Sequence, residues 1–250
     1  MNTLKLALAE RRAQIGLWQA LANSYTAEIC AGAGYDWLLF DGEHAPNTMQ
    51  TLLAQLQATA PYPVEPVARP SAGDPVIIKQ YMDIGFRSLL VPMVESAAQA
   101  ERLVAATRFP PRGIRGVAST TSRASGFGAK PGYLATAHED VCLIVQIESR
   151  AGLAAIEEIA AIEGVDALFI GPADLAAALG HLGNPWHEQV QAAIAGAVER
   201  IAKVGKPSGI FALSPDDARR WIAAGVSFVS LGTDMGLLMR SARELRACVG

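Results

Sequence analysis

Four short stretches of this chain place polar side chains at the ends of apolar runs, where they could act together. Trp37–Phe40 leads into Asp41-Gly42-Glu43-His44, and the run before Arg69 ends in that guanidinium. The run from Cys142 carries Gln146 and Glu148, whose spacing of two puts both on one face of a strand. Ala167–Ile170 leads into Gly171-Pro172-Ala173-Asp174, with a helix expected at or just after Asp174 and backbone N–H groups there able to receive a carboxylate. Glu148 and Asp174, with no sulfur or multiple histidines beside them, make a hard oxygen site suited to Mg²⁺ or Mn²⁺ with positions left for water and substrate. A cation that holds a 2-oxo acid by its carboxylate and keto oxygens stabilises the enolate as charge develops. Arg69 would add positive charge at that oxygen, and His44 is the natural base near neutral pH.

Taken singly, each residue has an ordinary alternative. Asp174 could simply cap a helix, Glu148 could pair with Arg150, and Arg69 could be a surface ion pair. Their convergence at four strand ends is what points to chemistry. His181 and His187 are six residues apart, which is no usual ligand spacing, and structural roles are expected for both. In the turn Gly232–Gly236, Asp234 would repel a phosphate. Only five residues are lysine: Lys5, Lys79, Lys130, Lys203 and Lys206. None falls at a strand end, so a Schiff-base mechanism lacks its amine and metal-assisted enolisation is the better route.

The elements that would position these groups follow one recurring joint, in which an Ala-rich helix closes on glycine and a short apolar run follows. It occurs at 31–40, 83–91, 163–170, 203–211 and 223–231. Asp74-Pro75, Ser214-Pro215 and the Ser96–Gln99 box mark helix starts. Eight strands are expected, at 15–18, 37–40, 64–68, 87–91, 142–147, 167–170, 208–212 and 228–231. Strand and helix alternate without a linker, and no dinucleotide-type glycine fingerprint follows any strand. The expected fold is one α/β domain over 1–250, a (β/α)8 TIM barrel with an extra N-terminal helix. Residues 108–135 form the one long irregular segment, expected near the barrel mouth, where Arg115 or Arg123 would bind part of a substrate.

Composition narrows the function. The chain is 51% hydrophobic and 18% charged with a net charge of −3, which excludes disorder and gives no basic footprint for nucleic acid or an anionic membrane. Three unpatterned cysteines and no long apolar run suit a cytoplasmic protein without a membrane span, and Cys142 reads as core.

LLFDGEHAPN (38–47), PVARP (66–70), FPPRGIRG (109–116), IVQIES (144–149) and EGVDALFIGPADLAAALGHLGNP (163–185) together resemble the HpcH/HpaI family of metal-dependent, pyruvate-forming aldolases. The similarity runs from about residue 4 to 240 and comes near the 4-hydroxy-2-oxoheptane-1,7-dioate aldolases of aromatic catabolism. The resemblance implies a phosphoenolpyruvate/pyruvate-type barrel that reversibly cleaves 4-hydroxy-2-oxo acids to pyruvate and an aldehyde through a metal-stabilised enolate. Heptanedioate or sugar-derived acids are the implied substrates. It further implies His44 as base, Arg69 as enolate stabiliser, Glu148 and Asp174 as ligands of Mg²⁺, Mn²⁺ or Co²⁺, and no organic cofactor. Gln146, Gly171, Pro172, Ala173 and Asp174 would contact the 2-oxo acid, with Asp41 and Glu43 as the polar groups behind them. Asp83 matches the carboxylate that makes the histidine more basic. It falls on the helix end opposite the mouth, so it would act either from a neighbouring subunit of a homo-oligomer, a hexamer with an exchanged helix on the family pattern, or through an irregularity of the barrel there. Two other readings remain: a lyase or decarboxylase acting on oxaloacetate or a CoA thioester, and a barrel kept only as a scaffold, which would bind no cation at its mouth.

Overall fold

The computed structural model of the chain describes residues 1–118 and 120–249. Eight parallel strands close into a barrel in chain order, with β8 returning to β1. They are β1 Gln14–Gln19, β2 Trp37–Asp41, β3 Glu65–Arg69, β4 Ser88–Val91, β5 Cys142–Ile147, β6 Ala167–Ile170, β7 Ser208–Phe211 and β8 Phe228–Thr233. The strands fall at the expected places, with ends shifted by two residues at most. The joints form for the reason given: Gly34, Gly85, Gly164, Gly205 and Gly225 all adopt left-handed φ between 80° and 118°.

Side chains alternate across each strand. Trp37, Leu39, Cys142, Ile144, Phe169 and Phe228 fill the barrel interior, while Leu38, Phe40, Leu143 and Val145 pack outward against the helices. Trp37 stacks on Phe228 with ring centroids 4.0 Å apart. The extra helix α1 (Thr3–Ala9) lies across the base and sends Leu4 and Leu8 into the interior cluster. Asn2 caps it and also donates to Ser88 Oγ at 2.8 Å. The interior is thus sealed below and open only at the carboxyl ends of the strands.

The outer helices are α2 Ser24–Ala31, α3 Met49–Thr59, α4 Pro75–Ile84, α5 Ala97–Thr107, α6 Tyr133–Thr136, α7 Arg150–Ala154, α8 Ile156–Ala160, α9 Pro172–Ala178, α10 Glu188–Lys203, α11 Pro215–Ala223 and α12 Asp234–Ala247. Asp74 caps α4 through the Val76 N–H, and Ser214 caps α11 through the Asp217 N–H. The box at Ser96 closes one residue off. Ser96 Oγ accepts from the Gln99 N–H, but the Gln99 side chain reaches the Glu95 N–H. Among the described residues no helix is long and apolar enough to cross a membrane.

One expectation is overturned. The segment 108–135, whose Ser119 lies outside the described residues, is on the base of its own barrel. The reason is directional: α5 runs from mouth to base and β5 starts at the base, so the connection joins two basal points. Arg115 pairs with Asp83 and Arg123 donates to the Ile84 carbonyl, both at the basal end of α4. Neither arginine faces its own barrel's mouth.

Candidate active site

The mouth is built around Asp41 and Arg69, which face each other in register at the ends of β2 and β3. Arg69 donates through Nε to Asp41 Oδ1 at 2.9 Å and through Nη2 to Oδ2 at 2.7 Å. Its Nη1 lies 2.9 Å from Glu43 Oε2. That contact lacks hydrogen-bond geometry, so Glu43 Oε2 is buried beside a cation without a donor. The Arg69 guanidinium also lies over the Trp18 ring, 4.2 Å from its centroid. Arg69 is therefore no surface ion pair.

Asp41 also shapes the loop after β2, because its Oδ1 accepts the N–H groups of Glu43 and His44 at 3.0 and 3.3 Å. Asn47 closes the loop by donating to the Asp41 carbonyl at 2.7 Å. His44 is carried at the rim, two-thirds exposed, with Nε2 3.9 Å from Glu43 Oε2. An exposed imidazole beside a carboxylate can take up and return a proton.

Across the barrel, Gln146 and Glu148 point to the same side as the spacing required. Gln146 Nε2 donates to Glu148 Oε2 at 2.6 Å, and the Met93 N–H donates to Glu148 Oε1 at 2.9 Å. Arg150 is not its partner and donates to the Ala178 carbonyl instead. Burial raises the Glu148 pKa to about 7, and the charges of Asp174 and Glu43 add to this, while the Met93 N–H and Arg69 oppose it. Burial likewise raises Glu43, with Arg69 acting against it.

The helix at Asp174 begins two residues earlier than expected. Gly171 is its N-cap, Pro172 its first residue, and Asp174 sits in the first turn. Proline is suited to that start, since its missing N–H is not needed there. The first intrahelical bond is from the Leu175 N–H to the Gly171 carbonyl. The N–H groups of Ala173 and Asp174 thus precede the ladder, on exposed residues at the mouth. Gly171 lets the chain pass close to this pair: a Cβ there would lie 2.5 Å from Glu148 Oε2 and 2.7 Å from Gln146 Nε2.

His44, Arg69, Gln146, Gly171, Pro172, Ala173 and Asp174 line one cavity of about 230 Å³. Its other walls are Trp18, Phe169, Phe211 and Leu213, an apolar side not singled out from sequence. Trp18 carried a legible signal, as the inward residue two after Gly16 at the end of a strand. Asp83 is not brought to this cavity; it pairs with the buried Arg115 at 2.6 Å at the base. Among the described residues no lysine lines this cavity. His181 and His187 stack on each other 3.5 Å apart, and His187 caps α10, both structural tasks. Asp234 accepts the N–H groups of Ala20 and Leu21, tying β8 to the end of β1.

The donor chemistry fits a hard divalent cation. Glu148, Glu43 and Asp174 repel one another around one buried cation, Arg69, which itself is already paired with Asp41. Among the described residues no three His, Cys, Asp or Glu side chains are grouped as a complete ligand set.

With this geometry the family follows. The HpcH/HpaI aldolase/citrate lyase model matches residues 14–241. The chain belongs to that family. It is 58% identical to a hydroxypyruvate/pyruvate aldolase of Deinococcus radiodurans, over 98% of this chain and 89% of that one. It is 52% identical to a 4-hydroxy-2-oxo-heptane-1,7-dioate aldolase of Escherichia coli, over 100% of this chain and 95% of that one. The crystal structure of an HpcH/HpaI family protein from Burkholderia cenocepacia superposes with a TM-score of 0.96 at 42% identity, covering 100% of this chain and 99% of the other. This HpcH/HpaI chain is an aldolase, an aldehyde-lyase of a family that is generally divalent-metal-dependent.

Proposed function

We propose that this single-barrel aldolase reversibly cleaves 4-hydroxy-2-oxo acids to an aldehyde and pyruvate or a close 2-oxo acid such as hydroxypyruvate. The observation that carries the reading is the arrangement of Arg69, Gln146 and the first turn of α9 around one cavity, with Glu148 bonded behind Gln146. The N–H groups of Ala173 and Asp174 receive the acid's carboxylate. Arg69, held rigid by Asp41, points positive charge at the keto oxygen where the enolate's charge accumulates. Gln146 packs beside the acid and orients Glu148.

Glu148 and Asp174 would hold Mg²⁺, Mn²⁺ or Co²⁺, which when bound supplies Lewis-acid polarisation of the 2-oxo group. His44 takes the proton from the 4-hydroxyl, so that the C3–C4 bond breaks with its electrons passing into the enolate. Protonation at C3 completes the cycle. Asp41 fixes Arg69 and the His44 loop, and Glu43 balances both.

A homo-oligomer, a hexamer on the family pattern, is part of the proposal. Asp83 is far from its own mouth, and a neighbouring copy could present it to His44. The apolar face of α12 supports this, since Met235, Leu238 and Met239 are exposed in the single chain.

The test is deuterium exchange into the pyruvate methyl group in D₂O, followed by NMR. Chelator-treated protein is compared with and without Mn²⁺ or Mg²⁺, beside His44→Ala and Glu148→Gln. Metal-dependent exchange, lost in both variants, is expected. No exchange in the metal-loaded wild type would sink the reading and return attention to another acyl substrate.

A further inference from the structure

The side chain of Asn47 is bonded to the end of β2 on one side and to α3 on the other. Its Nδ2 donates to the Asp41 carbonyl at 2.7 Å. Its Oδ1 accepts from Gln55 Nε2 at 2.7 Å and from Thr51 Oγ1 at 2.9 Å. The amide has one possible orientation. Gln55 Nε2 also donates to the Thr51 carbonyl at 3.0 Å, so an NH₂ group faces Asn47, while the Asp41 carbonyl can only accept. Gln55 is wholly buried although it lies on an outer helix, and its Oε1 has no partner. A buried amide with one end unsatisfied costs stability. Among the described residues, the one bond its side chain makes outside α3 is to Asn47.

These bonds converge on a segment that carries chemistry. Asp41 grips Arg69 with both carboxylate oxygens and takes the N–H groups of Glu43 and His44. Gly42 donates to the Arg69 carbonyl at 2.8 Å and lies against the Tyr81 hydroxyl, with no room for a Cβ. The segment therefore has no slack toward α4, and on the α3 side its anchor is Asn47. Resting on the reading above, in which Arg69 meets the keto oxygen and His44 takes the proton, we infer that Asn47 is a positioning residue for the aldolase reaction. Its carboxamide fixes the Asp41 peptide to α3 and so sets where both the guanidinium and the imidazole stand. Displacing such groups by about 1 Å costs about 10²-fold in rate. An amide suits the task, since position 47 must accept from α3 and donate to β2.

Two variants test this. Asn47→Asp keeps the shape and the two accepted bonds but sets an oxygen against the Asp41 carbonyl. Gln55→Leu removes a donor behind Asn47 and leaves the loop itself untouched. Each is compared with wild type by the kinetics of pyruvate methyl hydrogen exchange in D₂O with Mn²⁺ bound. Amide exchange of Gly42, Glu43 and His44 is followed by mass spectrometry in the metal-free chain. Asn47→Asp is expected to lower kcat for methyl exchange about 10²-fold while KM for pyruvate stays within about threefold, because the α9 turn and Gln146 do not lean on α3. The three amides should exchange about tenfold faster, as for the loss of one hydrogen bond. Gln55→Leu should move kcat and amide exchange the same way by about 3–10-fold. A folded Asn47→Asp enzyme with wild-type kcat overturns the assignment, and so does one whose loss lies in KM alone. If that variant does not fold, wild-type kcat in Gln55→Leu overturns it. If wild type exchanges no methyl hydrogen with metal bound, the enolate reading falls instead. Amide exchange then decides alone, and unchanged rates in the folded variants overturn the anchor.

Discussion

Arg69 and Asp41, register partners on adjacent strands, are locked by two parallel hydrogen bonds of 2.9 and 2.7 Å at the mouth of the barrel. Both are buried, and the same aspartate also holds the backbone of Glu43 and His44. One carboxylate therefore aims the cation and positions the proposed base.

An ammonium group cannot reproduce the forked pair, so Arg69→Lys is expected to lower kcat/KM for aldol cleavage by about 10²–10³-fold, the usual loss for one aimed donor. Asp41→Ala is expected to cost about 3 kcal/mol in urea unfolding, because it strips a buried guanidinium of its main partner. Steady-state kinetics within threefold of wild type for Arg69→Lys would remove Arg69 from the reaction.

The elevated pKa of Glu148, about 7 against an ordinary 4.5, makes metal-free stability depend on pH in a definite direction. Between those values the folded chain retains a proton that the unfolded chain has released, so stability falls as pH rises through the window and levels off above it. Chelator-treated protein is expected to lose up to about 3 kcal/mol between about pH 5 and pH 8 from this group. Glu148→Gln removes this group's share and leaves the smaller share of Glu43, and saturating Mg²⁺ or Mn²⁺ diminishes it by favouring the charged carboxylate. Equal pH slopes for wild type and variant, measured by urea midpoints without metal, would show that Glu148 is not the group responsible.

What sequence conveyed here was the barrel and the residues at its strand ends. Strands buried on both faces read as continuous apolar runs, and glycine marks five of the helix-to-strand joints, whereas the pairing register that brings Asp41 beside Arg69 is a property of the closed barrel and had no signal in the chain. The fate of 108–135 was misread because length suggested a functional loop, whereas chain direction from α5 to β5 places it at the base. Asp83 is legible as a matched position but not as part of this mouth, since its partner in the chain is Arg115. Trp18 was passed over because apolar residues at a strand end look like core. Only the three-dimensional arrangement shows an indole N–H left without an acceptor. The two-residue error at α9 arose from giving Asp174 the capping role that Gly171 and Pro172 fill.

Gly171 tests whether close packing at the mouth sets the ligand geometry. Its φ is negative, so alanine is allowed by the backbone, and the objection is purely one of space. A methyl group there would meet the Glu148 carboxylate at 2.5 Å and the Gln146 amide at 2.7 Å. Both side chains are buried and bonded to each other, so neither can swing aside without giving up the 2.6 Å hydrogen bond. Gly171→Ala is therefore expected to fold, at a cost of about 1–3 kcal/mol for overpacking. Its affinity for Mn²⁺ should fall about 10–100-fold, as when a group orienting a ligand is lost. Calorimetric titration of the chelator-treated variant checks this, with thermal melts to confirm folding. Wild-type metal affinity in a folded Gly171→Ala would mean that Glu148, as positioned by Gln146, does not carry the cation.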